Sequence, residues 1–325
     1  MGVLGRVMLV GEPRKMKHTV VFEPKSAMVD GSRSGLHIHD LDGHLGGGPT
    51  LGVSGVIHGD EVTGAHILLD LFRVLKTTPF RGRLRLMPVA NPHGFAAVER
   101  FTTIDRVNLN RVFPGNPKGT YSEQLADHIM QKFYNTLDVL VDLHSGTDRP
   151  TVDYSYIFND EALSRATGSK ILYRPENQGR GFKGTSAVAV LERDVPVTVI
   201  ELGGGVIDQA PYARRGVEAL LNIMRHLGML DGEVQHRTDH VVVKDIKLVR
   251  PTQGGFIETE APALGELVGD GAVLGRIISP YTFEELEVLG NPVTNGIMIL
   301  SHLTRNIIEP GDYAYMVGDL DGSES

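Results

Sequence analysis

Four groups of side chains in this sequence have the types and spacing for metal-assisted hydrolysis. His58 and Glu61 stand three residues apart in Gly55-Val-Ile-His-Gly-Asp-Glu61, just after an apolar run, which is the spacing of a metal-binding pair. His144 ends a second apolar run, Asp138-Val-Leu-Val-Asp-Leu-His144, and supplies a third ligand from a distant part of the chain. Two ligands from one turn and one from a separate strand end make a catalytic zinc site, one zinc per chain, with the fourth position left for water. Glu201 closes another apolar run and precedes Gly203, Gly204 and Gly205; it is the candidate proton shuttle, and the glycines are expected to let a substrate approach the backbone. Asn110 and Arg111 place an amide beside a planar guanidinium before a turn, and such a fork can bind both oxygens of a substrate carboxylate.

Taken singly, each residue has an ordinary structural explanation. A His and Glu near a helix start are often a solvated pair, a lone strand-end histidine is often hydrogen-bonded in a core, and Glu201 or Arg111 could serve a structural ion pair. Their joint occurrence at segment ends is what favours a site. Apolar runs predict strands over 51–57, 84–89, 139–143, 154–158 and 197–202, and helical periodicity falls on 61–75, 122–136, 187–193 and 211–227. This alternation predicts an α/β fold with a mixed, largely parallel sheet flanked by helices. Ligands of such sheets bind at the carboxyl ends of the strands, where His58, His144 and Glu201 all fall. Residues 1–48 read as an N-terminal β segment of a catalytic domain spanning 1–235. After residue 235 helical periodicity gives way to short strands over 241–249, 255–259, 265–267 and 273–278, a smaller all-β unit over 236–325. Its 265–278 segment is similar to the hairpins of lipoyl- or biotin-carrier barrels but has no lysine at the turn, which argues against a carrier role.

Composition narrows the partners. The 325 residues carry a net charge of −8 and no concentrated basic stripe, which argues against nucleic acid or an anionic membrane and for a small soluble substrate. With no cysteine, only His, Asp and Glu remain as zinc-binding side chains. The apolar stretch at the N-terminus is too short for a leader or a membrane span, so the expected location is the cytoplasm. Homo-oligomer formation is left open.

The order His58-x-x-Glu61, Asn110-Arg111, Asp142-Leu-His144 and a late Glu201 resembles the succinylglutamate desuccinylase/aspartoacylase family, a branch of the zinc carboxypeptidase-like fold. The resemblance covers roughly residues 45–230, and the β-rich tail is similar to the family's C-terminal domain. It implies an amidohydrolase acting on an N-acyl amino acid, with His58, Glu61 and His144 as zinc ligands and Glu201 as general base and then acid. Asn110 and Arg111 would hold the substrate carboxylate. The family also carries an upstream arginine that polarises the scissile carbonyl; Arg106 is slightly preferred over Arg100 for that place. Asn108 stands where the family usually has an aspartate, so its support of a ligand histidine would come from an amide oxygen and leave that ligand less basic.

Two other readings share these residues. One is a metallocarboxypeptidase acting on peptides, and the other a non-catalytic module that holds a carboxylate with Arg111. A succinyl group would need a further cation, for which Arg100, Arg174, Arg180 and Lys183 are available, while an acetyl group needs a small apolar slot. Of the remaining histidines, His37 and His39 read as surface residues, His66 as packed under the sheet, and His93 as part of a turn near the strand rim.

Overall fold

The computed structural model describes residues 16–205 and 208–321. The N-terminal stretch considered above as a leader lies outside them, as does part of the N-terminal β segment. A long hairpin, β1 (Lys17–Ala27) and β2 (Arg33–Asp42), leads into the core strand β3 (Thr50–Gly55). There follow α1 (Thr63–Leu75), β4 (Arg83–Met87), α2 (Pro92–Ala97), α3 (Tyr121–Lys132) and β5 (Val139–His144). The remainder of this half comprises β6 (Thr151–Tyr156), α4 (Glu161–Ala166), β7 (Ile171–Tyr173), α5 (Ser186–Leu191), β8 (Val197–Gly203) and α6 (Ala210–His226).

The strands of this half line up as β1-β2-β4-β3-β5-β8-β6. Strand β3 is parallel to β4 and β5, and β5 is parallel to β8, whereas the β1, β2 and β6 pairings along that line are antiparallel. A parallel strand covered on both faces is buried along its length, and every residue of β5 and every residue of β3 after Thr50 is buried. Alternate residues of β5 point to opposite faces. Val139, Val141 and Leu143 pack with α1 and α6, while Leu140 packs with Val197, Val199, α3 and α5. Asp142, His144 and Glu201 therefore share the face that α3 and α5 cover. The registers Asp142↔Val199 and His144↔Glu201 put the last two side by side at the strand ends.

The tail supplies β9 (Val241–Val243), β10 (Asp245–Val249), β11 (Gly255–Thr259), β12 (Leu267–Gly269), β13 (Val273–Ile278), β14 (Glu285–Gly290), β15 (Asn295–Ser301), β16 (Asn306–Ile308) and β17 (Tyr315–Asp319). Strands β14-β13-β11-β16 form a separate antiparallel sheet, whose core is shared with β12, β15 and β17 of the main sheet. The main sheet runs on across residue 235: β9 pairs in parallel with β7, and β15 meets β6 at Leu300↔Thr151.

The expected strands and helices are present with adjustments, except that the strand expected over 265–267 lies at Leu267–Gly269 and shares one residue with it. The expected strand 241–249 is two strands, because β9 joins the main sheet beside β7 while β10 pairs with β17. Helix α1 begins at Thr63 rather than at Glu61, leaving Glu61 in the turn before it. Among the described residues no helix is long and apolar enough to cross a membrane. Leu71, fully buried on α1, carries the packing of this helix, whereas Leu69 on the same helix is 47% exposed. Leu71→Ala should cost about 2–5 kcal/mol in urea denaturation, and Leu69→Ala within about 0.5 kcal/mol; equal losses would contradict this assignment of faces.

Candidate active site

The turn after β3 is bent sharply. Val56 has φ 55°, a left-handed conformation that a β-branched residue rarely adopts, and backbone bonds from Ala90 to Gly55 and from Asn91 to Val56 hold it there. Gly59 lies so close to α2 that a Cβ would come within 1.9 Å of the Gly94 carbonyl carbon, so no side chain fits between the two candidate ligands. Within this turn His58 and Glu61 are both 3% exposed, and His144 at the end of β5 is 7% exposed.

The three side chains converge. His58 Nδ1 lies 2.7 Å from Glu61 Oε1 and His144 Nδ1 lies 3.0 Å from Glu61 Oε2. One ligand atom from each side chain falls within 4.8 Å of the others, the single such group of three among the described residues. Each imidazole turns its other nitrogen outward to an oxygen. His58 Nε2 lies 3.2 Å from Asn108 Oδ1, which also accepts from the Asn110 amide, and His144 Nε2 lies 3.4 Å from Asp142 Oδ2. Asp142 is completely buried, with Ser54 and Ser186 donating to its two oxygens at 2.7 and 2.6 Å, and Tyr134 donates in turn to Ser54 at 3.1 Å. Two inward Nδ1 atoms, a carboxylate between them and an outer oxygen behind each ring form a donor set that fits zinc.

Electrostatics follow the same geometry. Burial opposes ionisation of Glu61, yet His58 and His144 hold its carboxyl well below the usual range. Burial lowers His58, whereas for His144 it is outweighed by the carboxylates of Asp142 and Glu61, which hold that imidazole well above its ordinary value. Glu201 is pushed up to about 8, chiefly by burial, with His144 opposing the shift and Glu61 adding to it.

The other expected residues divide. Asn110 is buried, with its Oδ1 accepting from the Ser186 backbone amide at 2.8 Å, and Arg111 is exposed with Nη1 on the Asn110 carbonyl at 2.7 Å. Arg106 lies outside the cluster, its side chain 68% exposed in an ion pair with Glu99. Arg100 reaches in and donates to Glu61 Oε1 at 2.9 Å. Arg174 bonds Glu161 and Arg180 bonds Gln178. The three glycines after Glu201 differ from expectation in what they approach: a Cβ on Gly204 would lie 2.6 Å from the Gly146 nitrogen, so that space is filled by the loop following His144.

His66 is exposed on α1 rather than under the sheet, because its helical position faces solvent. His93 packs edge-on against Tyr121 and meets Ser34 Oγ at 3.0 Å. His37 is exposed, while His39 is half-buried, stacked on His18 with 3.2 Å between nitrogens. The sequence reading missed Tyr154 and Tyr156. Tyr154 pairs in register with Glu201, the hydroxyls of the two tyrosines lie 3.4 Å apart, and Tyr156 is within electrostatic reach of Arg111. The aromatic alternation Tyr154, Tyr156, Phe158 was the signal for them. The tail also approaches here: buried Arg149, five residues beyond His144, bonds the Tyr313 carbonyl and Asp312.

Residues 47–227 match the succinylglutamate desuccinylase/aspartoacylase catalytic domain, and the chain belongs to that family. It is 27% identical over 289 residues to an N-alpha-acetyl-L-2,4-diaminobutyric acid deacetylase of Halomonas elongata, a match covering 82% of this chain and 75% of that protein. Among solved structures, a succinylglutamate desuccinylase from a Silicibacter species is 28% identical with a TM-score of 0.79, covering 94% of this chain and 95% of that one. The product-bound ectoine utilization protein EutE of Ruegeria pomeroyi is 27% identical with a TM-score of 0.80, covering 95% and 96%.

Asp142 and Glu61 favour the protonated form of His144, and a metal bound there would displace that proton. Protonation dominates below the His144 pKa, so zinc affinity is expected to climb by about tenfold per pH unit there. Calorimetry in two buffers of different ionisation enthalpy should show about one proton released per zinc; uptake without release would remove His144 from the ligand set.

Proposed function

We propose that this chain is a zinc-dependent deacylase that hydrolyses the amide bond of an N-acylated amino acid or related small amine. The observation that carries the reading is the buried convergence of His58, Glu61 and His144 with Glu201 in register beside His144. These three side chains would hold the zinc, which supplies Lewis acidity to the amide carbonyl and to the attacking water.

The protein's own groups do the rest. Glu201 takes a proton from water and returns it to the departing amine nitrogen; a carboxylate whose affinity for protons is raised by burial is suited to both transfers. Arg100 would take the carbonyl-polarising role expected of Arg106, because its guanidinium reaches Glu61, whereas Arg106 is engaged by Glu99 at the surface. Asn110 and Arg111 hold the carboxylate of the amino acid product, with Tyr154 and Tyr156 beside Glu201 forming a further wall. Similarity to a diaminobutyric acid deacetylase supports an acetylated amino acid, and the family's desuccinylases keep a succinyl group in view.

A panel of N-acetyl and N-succinyl amino acids offered to the zinc-loaded protein tests this, with zinc-dependent release of free amine as the expected result and no turnover of any member as the contrary one. Glu201→Gln should retain stoichiometric zinc while kcat falls by about 10²–10⁴; undiminished turnover would remove Glu201 from the chemistry. Arg100→Ala should lower kcat by about 10²–10³, with Arg106→Ala close to wild type, and the reverse pattern would restore Arg106 to the site.

A further inference from the structure

Ser186 touches both halves of the site without belonging to either. It is completely buried at the first position of α5, after the capping residue Thr185. Its hydroxyl lies 2.6 Å from Asp142 Oδ2 and 3.2 Å from Asn110 Oδ1, and its backbone amide lies 2.8 Å from Asn110 Oδ1. A hydroxyl has one proton, and the shorter contact takes it, 2.6 Å to Asp142 against 3.2 Å to Asn110. The hydroxyl is therefore committed to Asp142, and the backbone amide to Asn110.

Each commitment has a consequence for a different partner. Asp142 stands behind His144, and a fixed acceptor there sets which way the ring turns its Nδ1. Asn110 has an amide whose two ends differ only in donor and acceptor character, so its orientation is decided by its neighbours. With Oδ1 occupied by the Ser186 amide, the Nδ2 donors are left for a ligand, as a carboxylate requires.

We propose that Ser186 is a positioning residue that joins the metal half of this site to the carboxylate half, its hydroxyl steadying Asp142 behind His144 and its backbone amide orienting Asn110. The inference rests on the deacylase reading given above. It assigns different jobs to two donors of one residue, and two substitutions separate them. Ser186→Ala removes the hydroxyl alone. Ser186→Pro removes the hydroxyl and the backbone amide at a first-turn helix position, where proline is accommodated.

Zinc affinity is measured by competition with a chromophoric chelator, and kcat and KM at saturating zinc on the best N-acyl amino acid of the panel. Ser186→Ala should bind zinc about tenfold more weakly with KM within about twofold of wild type. Ser186→Pro should show the same loss of zinc affinity and a further rise in KM of about tenfold, the loss of one oriented contact to a charged group. Unchanged zinc affinity in Ser186→Ala, or unchanged KM in a folded Ser186→Pro, would overturn the proposal. Thermal unfolding of the metal-free variants checks folding. If the proline variant does not fold, hydrogen exchange at the Ser186 amide decides instead: protection in wild type that is lost in Asn110→Ala supports the assignment, and identical exchange overturns it. Wild-type protein that binds no zinc and turns over no substrate would overturn the functional reading itself, a result distinct from wild-type activity with indifferent Ser186 variants.

Discussion

A carboxylate almost wholly removed from water must have its charge met by fixed donors, and Glu61 imposes that demand on everything around it. Its two oxygens take His58, His144, Arg100 and the Ser145 amide. The imidazoles need support on their far sides, which brings in Asn108 and Asp142. Asp142 is itself a buried carboxylate, so the demand passes to Ser54 and Ser186, and from Ser54 to Tyr134. One charged group at the end of a turn thus dictates polar residues across two strands, a helix start and the segment after α3. A network satisfied in this way holds one geometry, since loosening any member leaves a buried polar group unpaired.

The two imidazoles are unlike in what stands behind them. His58 is backed by the amide oxygen of Asn108, and His144 by the carboxylate of Asp142. Asn108 keeps its orientation through the Asn110 backbone amide, so replacing an acid by an amide preserves the contact while removing its charge. Burial lowers His58, whereas for His144 the carboxylates of Asp142 and Glu61 outweigh it. An amide oxygen thus backs one ring and a carboxylate the other.

Much of the central sheet was legible because an apolar run that ends in His or Glu carries two signals at once, an element and the polar group at its end. His58, His144 and Glu201 are all of this kind, and adjacent parallel strands bring them together. The supporting hydroxyls were not legible. Ser54, Tyr134 and Ser186 lie in apolar or mixed segments where a buried serine or tyrosine disturbs no periodicity. The directions of Arg100 and Arg106 were likewise not legible from their positions: Arg106 has φ 59° and its side chain turns away to Glu99, while Arg100 reaches Glu61. In the tail, short strands separated by Gly and Pro gave no indication that β9 would return to the main sheet. That pairing is decided by partners far away in the chain.

Gly203, Gly204 and Gly205 all have positive φ, and a side chain on the first two would collide with Tyr212 and with the Gly146 backbone. The segment next to Glu201 is therefore closed to sequence variation on two counts, backbone conformation and space. A lineage of such proteins that changed its substrate would have to do so elsewhere around the site. Tyr154 and Tyr156 on β6, beside Glu201, stand outside this constraint. Rigidity beside Glu201 thus confines variation to the other segments around it.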